Sequence, residues 1–223
     1  MTMKLFLGTL AKFLLGVLLV SVLIFLPAGT LSFWNGWLLL GILFVPMLVV
    51  GVVLMLRNPA LLLERLNAKE KEKSQDLVVK LSGLMFIAGF VTAGLGYRLQ
   101  WYTLPRWLSI GAAVLFLLAY GVYAEVLREN AYLSRTIKVQ EGQKVVDTGL
   151  YGVVRHPMYS ATLLLFLSMP LILGSPYAFA IFLLYPFIIA KRIKGEETLL
   201  EAELTGYREY KLRVKYRLIP FVW

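Results

Sequence analysis

The sequence contains no cysteine and only one histidine in its 223 residues. Disulfide bonds, thiolate catalysis and cysteine metal sites are therefore excluded, and cysteine usage carries no information about the redox compartment. Zinc and haem sites ordinarily draw on several histidine or cysteine ligands. We therefore expect no metal site in this protein.

Acidic residues are also few, because 13 Asp and Glu stand against 23 Lys and Arg, for a formal net charge of +10. Hydrophobic residues make up 59% of the chain and the mean hydropathy is +0.74. Ordinary soluble domains are less apolar, and several runs here are long enough to cross a bilayer. The sequence predicts an integral membrane protein. Its positive charge reflects the topology of the loops and contact with anionic lipid headgroups rather than binding of nucleic acid.

Six apolar segments can be delimited from polar stretches and turn residues. They cover about residues 5–26, 33–56, 77–95, 107–126, 158–173 and 176–190. The first resembles a signal sequence but lacks a good cleavage site, so we expect a retained span. Between the last two, Gly174-Ser-Pro176 favours a tight hairpin over one long tilted helix. The polar stretch from Arg57 to Lys80 is expected to be a solvated loop or surface helix.

The basic residues are distributed very unevenly between the two sides of such a bundle. With six segments, 21 of the 23 Lys and Arg lie on one side, and only Arg98 and Arg106 lie on the other. The positive-inside rule then predicts that both termini are cytoplasmic. A five-segment arrangement would place the basic tail outside. We therefore predict an all-α polytopic bundle, with four helices in residues 1–127 and a catalytic part with a cytoplasmic tail in residues 128–223.

Two local patterns predict how helices pack or end. Glycines at positions 83, 89, 94 and 96 in the third segment favour close helix–helix approach. In the tail, side chains three and four residues apart predict one helical face, although Gly206 weakens that helix. The residues of this face are Glu196, Leu200, Glu203, Tyr207 and Tyr210.

The single histidine lies in the stretch from Gly149 to Tyr159, where a polar loop meets an apolar run. Pro157 suits the first helical position, because its missing N–H would have had no helical partner. A helix beginning there would offer unpaired N–H groups and a partial positive charge to an anionic ligand, and Arg155 adds a full charge. The residues alone leave open a second interpretation, an interfacial arginine that snorkels beside a capping histidine.

A hairpin would return Arg192 and the pair Glu196-Glu197 to the side on which Arg155 and His156 lie. One continuous helix of roughly 33 residues would instead separate them by about 50 Å. The side chains gathered on that side are Tyr151, Arg155, His156, Tyr159, Arg192, Glu196, Glu197 and Tyr207. This set could bind a zwitterionic cofactor with hydroxyls, a carboxylate and an aromatic base. It could also be a plain interfacial belt, which composition alone favours.

One ordered pattern runs through the C-terminal part of the chain: Gly149-Leu-Tyr151, Arg155-His-Pro-Met-Tyr159, Gly174-Ser-Pro176, then Arg192, Glu196-Glu197, Leu200, Gly206-Tyr207 and Tyr210. This pattern resembles the isoprenylcysteine carboxyl methyltransferase family and the wider group of membrane phospholipid N-methyltransferases. The resemblance covers about residues 130–220, and the first four segments carry no matching motif. The ordered set is specific, whereas Arg-His-Pro alone is not.

The resemblance implies S-adenosylmethionine as methyl donor, bound at the cytoplasmic face by the C-terminal part. The implied cofactor-binding residues are Gln143, Lys144, Val145, Val146, Tyr151, Arg155, His156, Pro157, Met158, Tyr159, Glu196 and Glu197. The implied catalytic residues are Arg192, on the substrate side, and His156. Thr136 stands where eukaryotic members carry a longer polar side chain.

The expected function is therefore that of an integral membrane S-adenosylmethionine-dependent methyltransferase acting on a lipid-like or prenylated small substrate. A carboxylate is the expected acceptor, although an amine or thiol also fits. Methyl transfer to a carboxylate is a direct displacement that needs positioning and desolvation, not a metal or a strong base. The alternatives are an NADPH-dependent membrane reductase related to sterol reductases, which share part of the pattern, and a non-enzymatic membrane protein.

Overall fold

The computed structural model describes residues 3–66, 73–133, 137 and 139–223. Within them the chain forms nine α-helices and no strand, so the predicted all-α class is confirmed. The bounds are α1 Met3–Ala28, α2 Trp34–Arg57, α3 Pro59–Leu66, α4 Lys73–Arg98, α5 Arg106–Glu129, α6 Pro157–Ile172, α7 Pro176–Phe182, α8 Tyr185–Glu203 and α9 Tyr207–Arg213. A single 3₁₀ turn covers Gly149–Gly152 in these residues. Thr136 lies outside the described part of the chain.

In the part of the chain that the structure describes, five stretches are long and apolar enough to cross a membrane, which confirms the prediction of an integral membrane protein. They are Phe6–Ala28, Trp34–Arg57, Asp76–Arg98, Arg106–Glu129 and Pro176–Glu203. Helix α6 is apolar but has only 16 residues. It rises about 24 Å, less than the roughly 30 Å hydrocarbon core of a bilayer. The six predicted segments correspond to these five stretches and α6.

The predicted hairpin between the last two apolar segments is confirmed. Gly174 has φ +71°, a left-handed conformation that glycine adopts without strain. The side chain of Ser175 accepts a hydrogen bond from the N–H of Ala178, and Pro176 begins α7. The returning arm continues farther than predicted, because α8 extends beyond residue 190 to Glu203.

The prediction of one continuous helical face in the tail is wrong. Helix α8 ends at Glu203, Gly206 takes φ +85°, and α9 begins afresh at Tyr207. Glu203 is exposed, whereas Tyr207 and Tyr210 are buried. The spacing predicted a helix through Gly206, but the backbone leaves the helical conformation at Leu204, and the left-handed Gly206 is the N-cap of α9.

Two of the four glycines named in the sequence confirm the predicted close approach of helices, whereas Gly83 faces open space. A Cβ atom at Gly94 would lie 2.5 Å from the carbonyl oxygen of Ile24 in α1. At Gly89 it would lie 2.3 Å from the ring of Phe182 in α7. Only a residue without a side chain fits at these positions, so α4 packs tightly between α1 and α7.

The polar stretch after α2 begins as the short helix α3, and residues 67–72 lie outside the described part. Leu61 of α3 is buried in a cluster with Val126 and Tyr151, close to the start of the C-terminal part. The Nζ atom of Lys12 donates to the carbonyl oxygen of Leu66 at 3.0 Å. Helix α3 therefore lies across the ends of several longer helices, on the side of α1 that carries Lys12.

The buried end of α6 is held by two polar side chains from other helices. The amide nitrogen of Asn35 donates to Ile172 O at 2.6 Å and to Ser109 Oγ at 3.3 Å. The hydroxyl of Ser109 donates to Leu171 O at 3.0 Å. The last carbonyls of a helix have no intrahelical partners, and water cannot supply them in hydrocarbon. The hydrogen bonds from Asn35 and Ser109 supply partners for the carbonyls at the end of α6, so this short helix can end inside the bundle.

Candidate functional site

An open cavity lies where the loop before α6 meets α8 and α9. It is lined by Asn130, Tyr132, Leu133, Ile137, Gln143, Lys144, Val145, Val146, Tyr151, Arg155, His156, Met158, Tyr159, Glu196, Leu200, Leu204, Tyr207 and Tyr210. All of the predicted cofactor-binding residues except Pro157 and Glu197 are in this lining. The tertiary structure thus gathers side chains that are spread over eighty residues of sequence around one space.

Glu197 lies in a buried ion-pair cluster beside the cavity rather than in its lining. Its Oε1 atom accepts from Nε of Arg155 at 2.8 Å and lies 3.3 Å from Nε2 of His156. Its Oε2 atom accepts from Nε of Arg217 at 3.0 Å. The side chains of Glu197 and Arg155 are both 4% exposed. A buried carboxylate is stable only when it is paired in this way, so Glu197 organises the site from within the fold.

Arg155 joins the segment after α9 to the loop before α6. Its Nη1 atom donates to the carbonyl oxygens of Val214 and Lys215 at 2.6 and 2.8 Å. The backbone N–H groups of Arg155 and His156 donate to the carbonyls of Tyr216 and Arg217, both at 2.9 Å. Much of the hydrogen-bonding capacity of this arginine is therefore used within the fold.

His156 is held between two carboxylates at the start of α6. The helix begins at Pro157, as predicted, and His156 is its N-cap residue. The Nε2 atom lies 3.3 Å from Glu197, whereas Nδ1 lies 3.9 Å from Oε2 of Glu196. Its ring is nearly parallel to that of Tyr159, with the centroids 5.7 Å apart. These contacts fix the orientation of the imidazole in the cavity wall.

The first turn of α6 offers fewer free donors than the sequence indicated. The N–H groups of Tyr159 and Ser160 both donate to the carbonyl of His156, at 3.0 and 3.1 Å. An anion at this helix end would therefore depend on side chains as well as backbone groups.

Two buried polar atoms in the cavity wall have no hydrogen-bond partner among the described residues, namely Oε2 of Glu196 and the hydroxyl of Tyr207. Burial raises the pKa of Tyr207, so the phenol keeps its proton at neutral pH. Buried polar groups are nearly always hydrogen-bonded in folded proteins. These two atoms therefore mark where a ligand can supply the missing partners.

Another part of the cavity wall is built around Tyr151. The hydroxyl of Tyr210 donates to the carbonyl of Tyr151 at 2.8 Å, and Nδ2 of Asn130 donates to the Tyr151 hydroxyl at 2.9 Å. Burial raises the pKa of both tyrosines. Nearby, the backbone N–H of Leu150 donates to Glu129 at 3.1 Å, which ties the 3₁₀ turn to the end of α5. The aromatic face of Tyr151 is thus held rigidly at the cavity.

Arg192 lies behind Tyr159, one helical turn before Glu196 on α8. Its Nε atom donates to the Tyr159 hydroxyl at 3.2 Å, and the side chain is buried. Arg192 is thus absent from the cavity lining and contacts it through Tyr159, and its predicted place on the substrate side stays a prediction. In the described residues, no group of three or more His, Asp or Glu side chains has the arrangement of a metal site.

Several residues of the site were not among the predicted cofactor-binding residues. The lining residues in this group are Asn130, Tyr132, Leu133, Ile137, Leu200, Leu204, Tyr207 and Tyr210. Tyr207 had been grouped with the interfacial side chains, and Leu200 and Tyr210 belong to the ordered pattern. The residues before position 138 carried no motif, and neither did Arg217 in the ion-pair cluster. Only their tertiary contacts reveal them.

The chain is similar to one protein family and to curated proteins of known activity. Residues 107–204 match the phospholipid methyltransferase family. The chain is also 30% identical over 91 residues to Delta(14)-sterol reductase TM7SF2 of Mus musculus, over 40% of this chain and 22% of the reductase. It is 22% identical over 137 residues to Delta(14)-sterol reductase of Methylotuvimicrobium alcaliphilum, over 55% of this chain and 32% of that protein. The chain thus spans less than a third of either reductase.

The family match begins in α5 and ends just after α8, so it includes Arg155, His156 and the two adjacent glutamates. The region that forms most of the cavity is therefore the region that carries the family pattern. Over residues 107–204 the chain matches the phospholipid methyltransferase family, and the predicted resemblance to integral membrane methyltransferases is confirmed.

Proposed function

We propose that this protein is an S-adenosylmethionine-dependent methyltransferase of the membrane, acting on a lipid-like or prenylated small molecule at a carboxylate. The observation that carries the proposal is the pair of buried atoms in the cavity wall, on Glu196 and Tyr207, that have no hydrogen-bond partner among the described residues. The family match over residues 107–204 supports methyl transfer as the reaction.

The cavity lining fits the chemical groups of S-adenosylmethionine. Glu196 can accept hydrogen bonds from ribose hydroxyls or from the ammonium group, and the Tyr207 hydroxyl can donate or accept. Tyr151 and Tyr159 offer aromatic faces to adenine or to the positively charged sulfonium. When bound, the cofactor would supply an electrophilic methyl group.

The protein's contribution to catalysis is positioning and exclusion of water. An acceptor carboxylate is already ionised at neutral pH and needs no base. Arg192 can orient it through two parallel hydrogen bonds, while Tyr159 holds the guanidinium from the cavity side. Burial of both side chains strengthens these interactions and removes water from the nucleophile.

His156 positions the cofactor and does not remove a proton. Its imidazole lies 3.3 Å from Glu197 on one side and 3.9 Å from Glu196 on the other. A ring held between two carboxylates is well suited to fix the geometry of the wall. It would be needed as a base only if the acceptor were an amine that must first lose a proton.

The cavity is proposed to open to the cytoplasm. Its walls come from the loop before α6 and from the chain after α8, which lie on the side that holds 21 of the 23 basic residues when six segments are counted. The positive-inside rule supports this orientation. The cofactor would enter from the cytoplasm and the lipid-like acceptor from the bilayer.

A reductase is the second candidate, because two Delta(14)-sterol reductases are similar to this chain. A nicotinamide dinucleotide carries several phosphate charges that basic side chains must neutralise. Among the described lining residues the Lys and Arg side chains are Lys144 and Arg155, and Arg155 already binds Glu197 and two carbonyls. The carboxylate of Glu196 would repel phosphate. The lining therefore favours adenosylmethionine.

Calorimetric titration of the purified full-length protein in a non-ionic detergent tests the proposal. S-adenosylmethionine should bind and NADPH should not. Glu196→Gln should weaken binding roughly ten- to a hundredfold, since one charge-assisted hydrogen bond is lost. Glu203→Gln, on the exposed side of the same helix, is the matched control and should bind like the wild type. Binding of NADPH with no binding of adenosylmethionine would instead establish the reductase.

A further inference from the structure

Arg65, near the end of α3, reaches the cavity wall from outside the stretch that matches the methyltransferase family. Its Nη1 atom lies 3.6 Å from the sulfur of Met158, which lines the cavity. Its Nη2 atom donates to the hydroxyl of Tyr123, and the guanidinium lies 5.6 Å from the centre of that ring. Arg65, a half-buried residue of the N-terminal part, thus contacts the wall of the cavity.

The position of α3 places this arginine where an amphiphile would arrive. Leu61 and Leu62 of the helix are buried, whereas Leu63 is 54% exposed. Its last carbonyl is bound by Lys12, on the side of the bundle that holds the cavity. A short helix with apolar side chains both inward and outward suits the boundary between bilayer and water.

Two arginines therefore contact adjacent residues on the first turn of α6. Arg65 contacts Met158, and Arg192 contacts Tyr159. Arg192 is buried, whereas Arg65 is half-buried at the end of a surface helix. Because Arg65 is the more exposed of the two, a head group that approaches this end of α6 from outside the fold would meet it before Arg192. The planar guanidinium matches the two oxygens of a carboxylate.

We propose that Arg65 recognises the carboxylate of an amphiphilic acceptor at the membrane-side entrance of the cavity. The identification of that amphiphile as the acceptor rests on the proposed function, whereas its binding does not. If Arg65 had a purely structural role, its cation–π contact with Tyr123 would hold α3 against α5 and the residue would not contribute to ligand binding.

The test compares two probes, N-dodecanoylglycine and its uncharged methyl ester, which share the same acyl chain. Their affinities are measured by calorimetry on the full-length protein in a non-ionic detergent. The wild type should bind the acid about tenfold or more tightly than the ester, and Arg65→Met should remove most of that preference. Arg65→Lys should retain part of it, because the charge remains. Arg57→Met, at the exposed end of α2, is the matched control and should retain all of it.

The ratio of acid to ester affinity is internal to each variant, so partial loss of folded protein does not alter it. An unchanged ratio in Arg65→Met overturns the proposal, and so does an equal loss of affinity for both probes. A wild type that does not prefer the acid also overturns it. S-adenosylhomocysteine is titrated separately. Its failure to bind would count against the proposed methyltransferase while leaving the test of Arg65 valid.

Discussion

Adjacent glutamates on α8 should respond in opposite ways when their charge is removed. Glu197 is buried and paired with Arg155 and Arg217, so Glu197→Gln should destabilise the fold. Glu196 lines the cavity, and one of its oxygens has no hydrogen-bond partner among the described residues, so Glu196→Gln should leave stability unchanged or slightly raised. The same substitution in consecutive residues thus separates a structural carboxylate from a ligand-binding one.

The expected magnitudes follow from burial and pairing. Removing one partner of a buried ion pair leaves an uncompensated charge and costs about 3–5 kcal/mol. Here the loss would leave the buried guanidinium of Arg155 without the opposite charge of Glu197. A half-exposed pair, such as Glu201 with Lys211, contributes only about 0–1 kcal/mol. Glu201→Gln on the same helix is therefore the matched control.

The assay has two readouts on each variant in the same detergent. The free energy of unfolding is measured by titration with a denaturing detergent, followed by circular dichroism and tryptophan fluorescence. The affinity for S-adenosylhomocysteine is measured by calorimetry. Glu197→Gln should lose stability by several kcal/mol, whereas Glu196→Gln should lose affinity at nearly full stability. Equal stability of Glu197→Gln and Glu201→Gln would refute this account of the ion-pair cluster.

Three further outcomes are expected. His156→Gln should weaken cofactor binding. In single-turnover measurements, the rate of the chemical step should not change between about pH 6 and 8, in the wild type or in the variant. If the wild-type rate rises in this window and the variant abolishes the rise, His156 acts as a base. Asn35→Leu should lower the free energy of unfolding by about 1–3 kcal/mol, because the carbonyl of Ile172 loses its hydrogen-bond partner. Ser32 is exposed, so the control Ser32→Ala should lower it little. A cysteine reporter fused after Trp223 should resist impermeant reagents in intact cells, and its labelling from outside would reverse the proposed topology.

The sequence alone determined the features that depend on local chemistry. Long apolar runs identify the membrane-spanning helices, because a bilayer requires about twenty such residues in sequence. The turn at Gly174 and the helix start at Pro157 also follow from neighbouring residues, whose backbone preferences act over a few positions. The ordered pattern from Gly149 to Tyr210 was enough to indicate a membrane methyltransferase.

Only the tertiary structure decided the surroundings of the two glutamates, from which their roles are proposed. The side chains of consecutive helical residues point about 100° apart, so only one of the two glutamates was expected to face the cavity. The spacing in the sequence could not show which of them does. The answer depends on Arg217, twenty residues later, whose guanidinium pairs with Glu197. It depends equally on the end of α8, where Gly206 redirects the chain and brings Tyr207 to the cavity. Contacts between residues distant in sequence fix which polar groups are satisfied by the fold and which remain for a ligand, and no local preference encodes them.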